Sequence, residues 1–243
     1  MFPPTKPPRA PWGDFPDVVL HAEERVVKKH HLYAAAKSGD IDAAVDLVNA
    51  TISKTALVSL GGFSADAAPT LVSAHAFEAE GINAIPEALA NVLGGMLGWP
   101  VNPDIVQTNV VGHTGSDGFH RLANQAAFTG TVVAGERYVL VDDFIGQGGT
   151  LANLRGYVEA SGGWVIGATA LTGKHYSAIL RLHPDQLSAL RAKHGKDLEN
   201  WWLDRFGHAF DSLTQSEARY LERTKDADTV RNRIVAAEQK RDG

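Results

Sequence analysis

The chain has 243 residues, enough for one domain with a substantial core, or one domain with an appendage. With 44% hydrophobic and 21% charged residues it has an ordinary globular composition, and a net charge of −5 argues against the basic face of a nucleic-acid binder. The absence of cysteine excludes disulfides, a thiol nucleophile and a thiolate zinc site, and no apolar run approaches the ~20 residues of a membrane span.

Residues 1–17 hold six of the 11 prolines and read as an extended Pro-rich arm, either disordered or lying across another subunit. Its prolines stand where a signal peptide would carry its apolar segment, so a cytoplasmic protein is expected. A helical pattern over 18–37 places Leu20, Val26, Val27 and Tyr33 on one side, and Gly39 ends it. Asp40 caps a second helix to about residue 51, with Ile41, Ala44, Val45 and Val48 on one face. Residues 18–52 are thus expected to form an N-terminal helical hairpin.

Residues 53–175 alternate strand, loop and helix. Strands are expected over 70–74, 104–111, 128–133, 138–141 and 164–171, and helices over 86–96, with Pro86 in the first turn, and 151–160. Between 112 and 124 the chain is rich in Gly, His and Ser and reads as a mobile loop. The remainder, 176–243, is mainly helical. Pro184 starts one helix, 196–206 carries Trp201-Trp202, Thr214-x-x-Glu217 matches a capping box, and 228–240 is amphipathic. The alternation implies an α/β fold, a doubly wound, mostly parallel sheet with helical N- and C-terminal additions.

The most informative stretch is Val139-Leu-Val-Asp-Asp-Phe-Ile-Gly-Gln-Gly-Gly-Thr-Leu151. A β-branched apolar run leads into Asp142 and Asp143, then into a Gly-rich turn and a helix. Gly146, Gly148 and Gly149 allow positive φ and leave no Cβ to obstruct an approaching phosphate. The first-turn N–H groups and the helix dipole favour an anion, and Thr150 adds a hydroxyl. Carboxylates repel phosphate, so Asp142 and Asp143 suit neutral hydroxyls or a divalent metal. Together the two elements fit a phosphorylated ribose; a ligand-free acidic turn is the simpler alternative. The stretch is neither a Walker loop nor a dinucleotide fingerprint, since the acids precede the glycines.

This stretch resembles the signature of the type I phosphoribosyltransferases, which bind phosphoribosyl pyrophosphate (PRPP). The resemblance implies that Asp142 and Asp143 hold the ribose hydroxyls and that Gly146, Gln147, Gly148, Gly149 and Thr150 cradle the 5′-phosphate. Gln147 departs from the hydroxyl residue common there. Gly146 departs from the acid that serves hypoxanthine-using members as general base. A second strand-loop-helix, around Glu78-Ala-Glu-Gly81, is similar to the family's pyrophosphate loop, which implies that role for Ala79, Glu80 and Gly81. Glu80 stands where a basic residue is usual. A carboxylate there repels pyrophosphate unless Mg²⁺ intervenes, or else it is a solvated loop acid.

The loop from His113 to Arg121 corresponds to the family's mobile catalytic loop, whose closure would exclude water from the electron-poor sugar. Arg121 is then a candidate for the pyrophosphate oxygens, and His113 or His120 for proton transfer. Phe144 and Lys174 are candidate base contacts; core packing and a surface lysine are the plainer readings. The expected cofactor is Mg²⁺, held by Asp142, Asp143 and Glu80. The expected activity is transfer of a 5-phosphoribosyl group from PRPP to a nitrogen base with release of pyrophosphate. A non-catalytic PRPP- or nucleotide-binding regulator and a nucleotide N-glycosidic hydrolase are the alternatives. PRPP and a nitrogen base or nucleotide are the expected partners, with a homodimer by family habit and no nucleic acid or membrane.

Overall fold

Strands and helices alternate along the chain in the computed structural model, which describes residues 6–64, 67–74, 77–78, 81–109 and 117–239. Strand β1 (Val19–Glu23) leads to the short helices α1 (Glu24–Lys28) and α2 (Tyr33–Lys37), then to α3 (Ile41–Thr51) and α4 (Lys54–Gly61). Strand β2 (Thr70–Ser73), the two-residue strands β3 (Phe77–Glu78) and β4 (Gly81–Ile82), and helix α5 (Ile85–Leu97) follow. Next come β5 (Val101–Asn102), β6 (Val106–Gln107), α6 (Gly118–Ala123) and β7 (Phe128–Thr129). The signature forms β8 (Arg137–Ile145) and α7 (Gly149–Ala160), and β9 (Trp164–Gly173) succeeds them. Helices α8 (Pro184–Phe206), α9 (Gln215–Glu222) and α10 (Ala227–Gln239) lie beyond.

Five strands form one sheet in the order β1-β9-β8-β2-β5, with every neighbouring pair parallel. Alternation along the strands divides their side chains between two cores. Leu71, Val139, Val141 and Leu171 face a core shared with α3 and α5. Val72, Tyr138 and Leu140 face another, shared with Leu151, Leu154 and Val158 of α7. Helices cover both faces, which is the doubly wound α/β arrangement the alternation predicts. Helices α8, α9 and α10 join α6 around a third core that contains Trp202, Phe210, Leu221 and Ile234.

Several local expectations are corrected. The helix expected over 18–37 begins as strand β1, so the sheet recruits a strand from outside 53–175 and the hairpin reading of 18–52 fails. The run from Val18 to Ala22 is apolar enough for either state, and β9 decides it: Thr169 and Thr172 donate from their hydroxyls to the Val19 and Ala22 carbonyls at 2.8 and 2.7 Å. Of the strand expected over 104–111, Val106–Gln107 is strand β6 among the described residues, and it pairs antiparallel with β7 outside the main sheet; the strand that joins the main sheet is β5, just before 104. In the segment read as a loop, 118–123 is helix α6, capped by the Asp117 side chain. Residues 110–116, including His113, lie outside the described residues. Strand β8 runs through Asp142 and Asp143 to Ile145 rather than stopping before them. The capping box at Thr214 and Glu217 forms as read.

The Pro-rich arm is corrected too: from residue 6 onward it lies along its own chain. Trp12 and Phe15 are buried in the core over α7, and the Trp12 indole donates to the Leu213 carbonyl at 2.8 Å. Gly156 explains how the arm reaches the helix. A Cβ there would stand 1.9 Å from the Pro8 carbonyl oxygen, so only glycine lets the two backbones meet.

Burial of two imidazoles predicts an acid sensitivity. His21 is 6% exposed between the Thr169 hydroxyl and the Ser53 amide, and burial pulls its pKa down to about 4. His208 is 3% exposed, and burial with the nearby Arg9 charge pulls it down to about 3. Both folded values lie below the unfolded one. Their contribution is complete above the ordinary value of 6.5 and is lost as pH falls from there toward 4, because only the unfolded chain takes up the protons. At pH 4.5 the loss is about 2–3 kcal/mol per imidazole. Urea unfolding at pH 7.5 and 4.5 should therefore give a smaller acid loss in a His208→Gln variant than in the parent. Equal losses would refute the assignment.

Candidate functional site

The sheet order creates the crevice. After β2 the chain crosses through α5 to β5 on one side; after β8 it crosses through α7 to β9 on the other. The two helices pack on opposite faces. The carboxyl ends of the adjacent strands β2 and β8 therefore diverge, and ligands of open α/β sheets bind at such a point. A cavity of about 370 Å³ opens there, lined by both acids, the glycine turn and residues of α6 and the arm.

At the end of β8, Asp142 and Asp143 are each 8% exposed. Two adjacent buried carboxyls do not both ionise at low cost, and their surroundings separate them. Burial, then the neighbouring Asp143 charge, holds Asp142 well above the usual carboxylate range. Burial also pushes Asp143 upward, but the Lys37 ammonium, 3.0 Å away, and hydrogen bonds from Asp142 and Asn83 outweigh it and bring Asp143 below that range. The Asp143 amide donates to Asp142 Oδ1 at 2.8 Å. The surroundings thus favour charge on Asp143 over Asp142, and the carboxyl oxygens of the pair suit two adjacent hydroxyls.

The turn that follows puts Gly148 in the left-handed region at φ 81°, as the N-cap of α7. A Cβ at Gly148 would meet Leu180 at 2.5 Å. Past the turn, the first-turn N–H groups of α7 have no intrahelical acceptor and are available to an anion. The outer side of the turn is held by the C-terminal helical region, where the Thr214 hydroxyl donates to the Gln147 carbonyl at 2.6 Å. At the helix mouth a terminal guanidinium nitrogen of Arg9 lies 3.3 Å from the point a Gly149 Cβ would occupy. Arg9 is fixed by a two-pronged ion pair with Glu217, at 2.7 and 3.0 Å, and by Asn153 at 2.5 Å. A Glu217 carboxylate oxygen lies nearer that point, at 2.7 Å, so the arm brings a charge-paired guanidinium to the helix mouth, with Glu217 fixing its orientation.

Among the residues anticipated from sequence, Asp142, Asp143, Gly146, Gln147, Gly148, Gly149, Thr150, Phe144 and Arg121 all line this cavity. His120 precedes Arg121 on α6 but lines neither this cavity nor its neighbour. Lys174 is exposed and lines only the neighbouring cavity. Ala79 and Glu80 lie outside the described residues, and Gly81 opens strand β4. Sequence reasoning missed Arg9, Lys37, Asn124 and Gln125. Asn124 Oδ1 and Gln125 Oε1 are buried acceptors that line the cavity and receive no hydrogen bond from the described residues, so they are suited to donors on a ligand. A pair of amides just before a strand was the only signal for them.

The metal expectation meets a limited fit. Among the described residues no three His, Asp or Glu side chains converge as a metal cluster. Lys37 already neutralises Asp143, and Asp142 is biased toward its neutral form. Glu80, the third ligand expected for Mg²⁺, lies outside the described residues.

No family model matches the chain. It is 41% identical over 229 residues to protein TraN of Escherichia coli, covering 94% of this chain and 51% of that protein. It is 39% identical over 151 residues to an uncharacterized protein of Haemophilus influenzae, covering 62% of this chain and 34% of that one. The chain thus spans about half the length of the first and a third of the second. Solved structures with partial overlap include an adenine phosphoribosyltransferase at 16% identity and TM-score 0.35, covering 57% of this chain and 72% of that one. Another is the adenine phosphoribosyltransferase of Leishmania donovani, at 15% identity and TM-score 0.34, covering 68% of this chain and 75% of that one.

Proposed function

We propose that the cavity binds a 5-phosphorylated ribose and that the protein transfers the phosphoribosyl group of PRPP to a nitrogen base. The observation that carries this reading is the split carboxyl pair, Asp142 and Asp143, directly ahead of the Gly148 turn and the mouth of α7. The pair offers its carboxyl oxygens, with the charge favoured on Asp143, to adjacent ribose hydroxyls. The turn and the Arg9 guanidinium supply N–H groups for the 5′-phosphate.

In the transfer, the C1–O bond to pyrophosphate breaks and its electron pair leaves with the pyrophosphate. The lone pair of the acceptor nitrogen forms the C1–N bond. Positive charge develops on the sugar between these events, as in other glycosyl transfers. On this reading the Asp143 carboxylate, paired with Lys37, offsets that charge, and the helix mouth with the Arg9 guanidinium holds the far end of the sugar. The reading includes Mg²⁺; since the described residues form no cluster for it, the ion would enter on the ligand's phosphates, with Asp142 and Asp143 as neighbours.

Isothermal calorimetry with PRPP and Mg²⁺ tests the reading, and absence of binding at millimolar PRPP would sink it. One observation favours a second reading, a PRPP- or nucleotide-binding regulator: at Gly146 the space beside the α-carbon holds the Arg121 guanidinium, 3.3 Å from a notional Cβ, where no base stands. Pyrophosphate release on screening bases separates the two, since turnover with any base excludes a purely regulatory role.

A further inference from the structure

A second cavity, of about 510 Å³, adjoins the first and shares Lys28, Arg121, Phe144, Gly146 and Gln147 with it. Its charge is unlike that of the chain. Among the described residues its walls carry five cations, Lys28, Arg121, Lys174, Arg219 and Arg223, against one acid, Glu24, in a protein of net charge −5. Glu24 is taken up by Lys28 at 2.7 Å. Aromatic rings order the cations: the Lys28 ammonium sits 4.1 Å over Phe144, and Lys174 and Arg219 lie 5.8 and 5.2 Å from the Tyr176 ring. The cations come from α1, α6, the end of β9 and α9 with its C-cap, so four separate parts of the chain place like charges around one space. Like charges at close range repel, and a bound anion relieves that repulsion.

We propose that this second cavity is the acceptor pocket and that it selects a planar nitrogen base bearing a carboxylate. The proposal rests on the phosphoribosyl reading of the first cavity. Phe144, Tyr176 and Tyr220 line the space, with Lys28, Lys174 and Arg219 over two of the rings, and Arg219, Arg223 and Lys174 offer charge-assisted hydrogen bonds to the carboxylate of a planar base. The missing base at Gly146 agrees with this choice. A pyridine-type or already anionic ring nitrogen has no proton to lose as the C1–N bond forms, so the transfer balances without a general base.

Two matched pairs of nucleotides test it by calorimetry, with ribose 5-phosphate as a control for the first cavity. Nicotinate and nicotinamide mononucleotide differ by carboxylate against carboxamide; orotidine and uridine 5′-monophosphate differ by the presence of the carboxylate. The protein should prefer the carboxylate member of at least one pair about tenfold or more. The Arg219→Gln, Arg223→Gln double variant should reduce that preference to about twofold while keeping its thermal melt and its affinity for ribose 5-phosphate. Binding of ribose 5-phosphate with no preference in either pair would overturn this proposal and spare the phosphoribosyl reading. Binding of neither ribose 5-phosphate nor any nucleotide would overturn both, and a preference unchanged in the double variant would overturn the assignment to this cavity.

Discussion

Replacing Asp143 by Asn is expected to weaken PRPP binding about 10–100-fold and to destabilise the protein by about 1–3 kcal/mol. Both effects have one cause. Asp143 is the ionised member of the pair, and its charge is matched to Lys37 at 3.0 Å in a setting where the two side chains are 10% and 21% exposed. An amide accepts a hydroxyl proton less well and leaves the ammonium facing a neutral group. The neighbouring change, Asp142→Asn, should be close to neutral or slightly stabilising, because that carboxyl is burdened by burial and by the Asp143 charge. The pH dependence has matching signs. The folded value of Asp143 is lowered, so its contribution is present above the ordinary carboxylate pKa and is lost as pH falls through the folded value. For Asp142 the folded value is raised, so ionisation costs stability above the ordinary value. Urea unfolding and calorimetry on both single variants test this, and indistinguishable variants would rule out the split pair.

The second large effect is expected at Glu217. It and Arg9 form an ion pair in which each side chain is 2% exposed. Removing one charge strands the other, at a cost of about 3–5 kcal/mol, or a fall in melting temperature of roughly 6–20 °C for a chain of this size. Glu217→Gln is the informative change, since glutamine keeps the capping-box hydrogen bond to the Thr214 amide. Adding Arg9→Gln to it should recover much of the stability, because no charge is then left buried alone, but should not recover affinity for ribose 5-phosphate. Scanning calorimetry and ligand titration of the single and double variants separate the two roles. Recovery of affinity in the double variant would show that Arg9 has no part in holding the phosphate.

The features that could be read from sequence are those whose causes are local. Asp142 through Thr150 forms a strand end, a left-handed glycine and a helix mouth because each needs only its immediate neighbours, and the same holds for the Asp40 cap and the Thr214 and Glu217 box. The errors lie where a distant partner decides. Val19 and Leu20 become strand because Thr169 and Ala170 lie beside them, some 150 residues on. Val106 and Gln107 leave the main sheet to pair with Phe128 and Thr129, where Gly130 lies so close that a Cβ would stand 2.2 Å from the Asp104 carbonyl oxygen. Within the site, the acids and glycines were readable, but Arg9 and Lys37 were not, since nothing near them in sequence records the partners they meet at Glu217 and Asp143.

The span between Arg9 and Glu217 is 208 residues, and it sets an order of events during synthesis. At a ribosomal rate of about 5–20 residues per second, Glu217 is made on the order of 10–40 s after Arg9. The strands, the glycine turn and α7 are all complete before α9 exists. A nascent chain can therefore hold a formed β8 and α7 while the arm has no anchor and the mouth of α7 lacks its guanidinium. On the proposed reading the phosphate site is therefore complete only after α9 has been made, and translation products that stop before α9 carry the turn without its guanidinium.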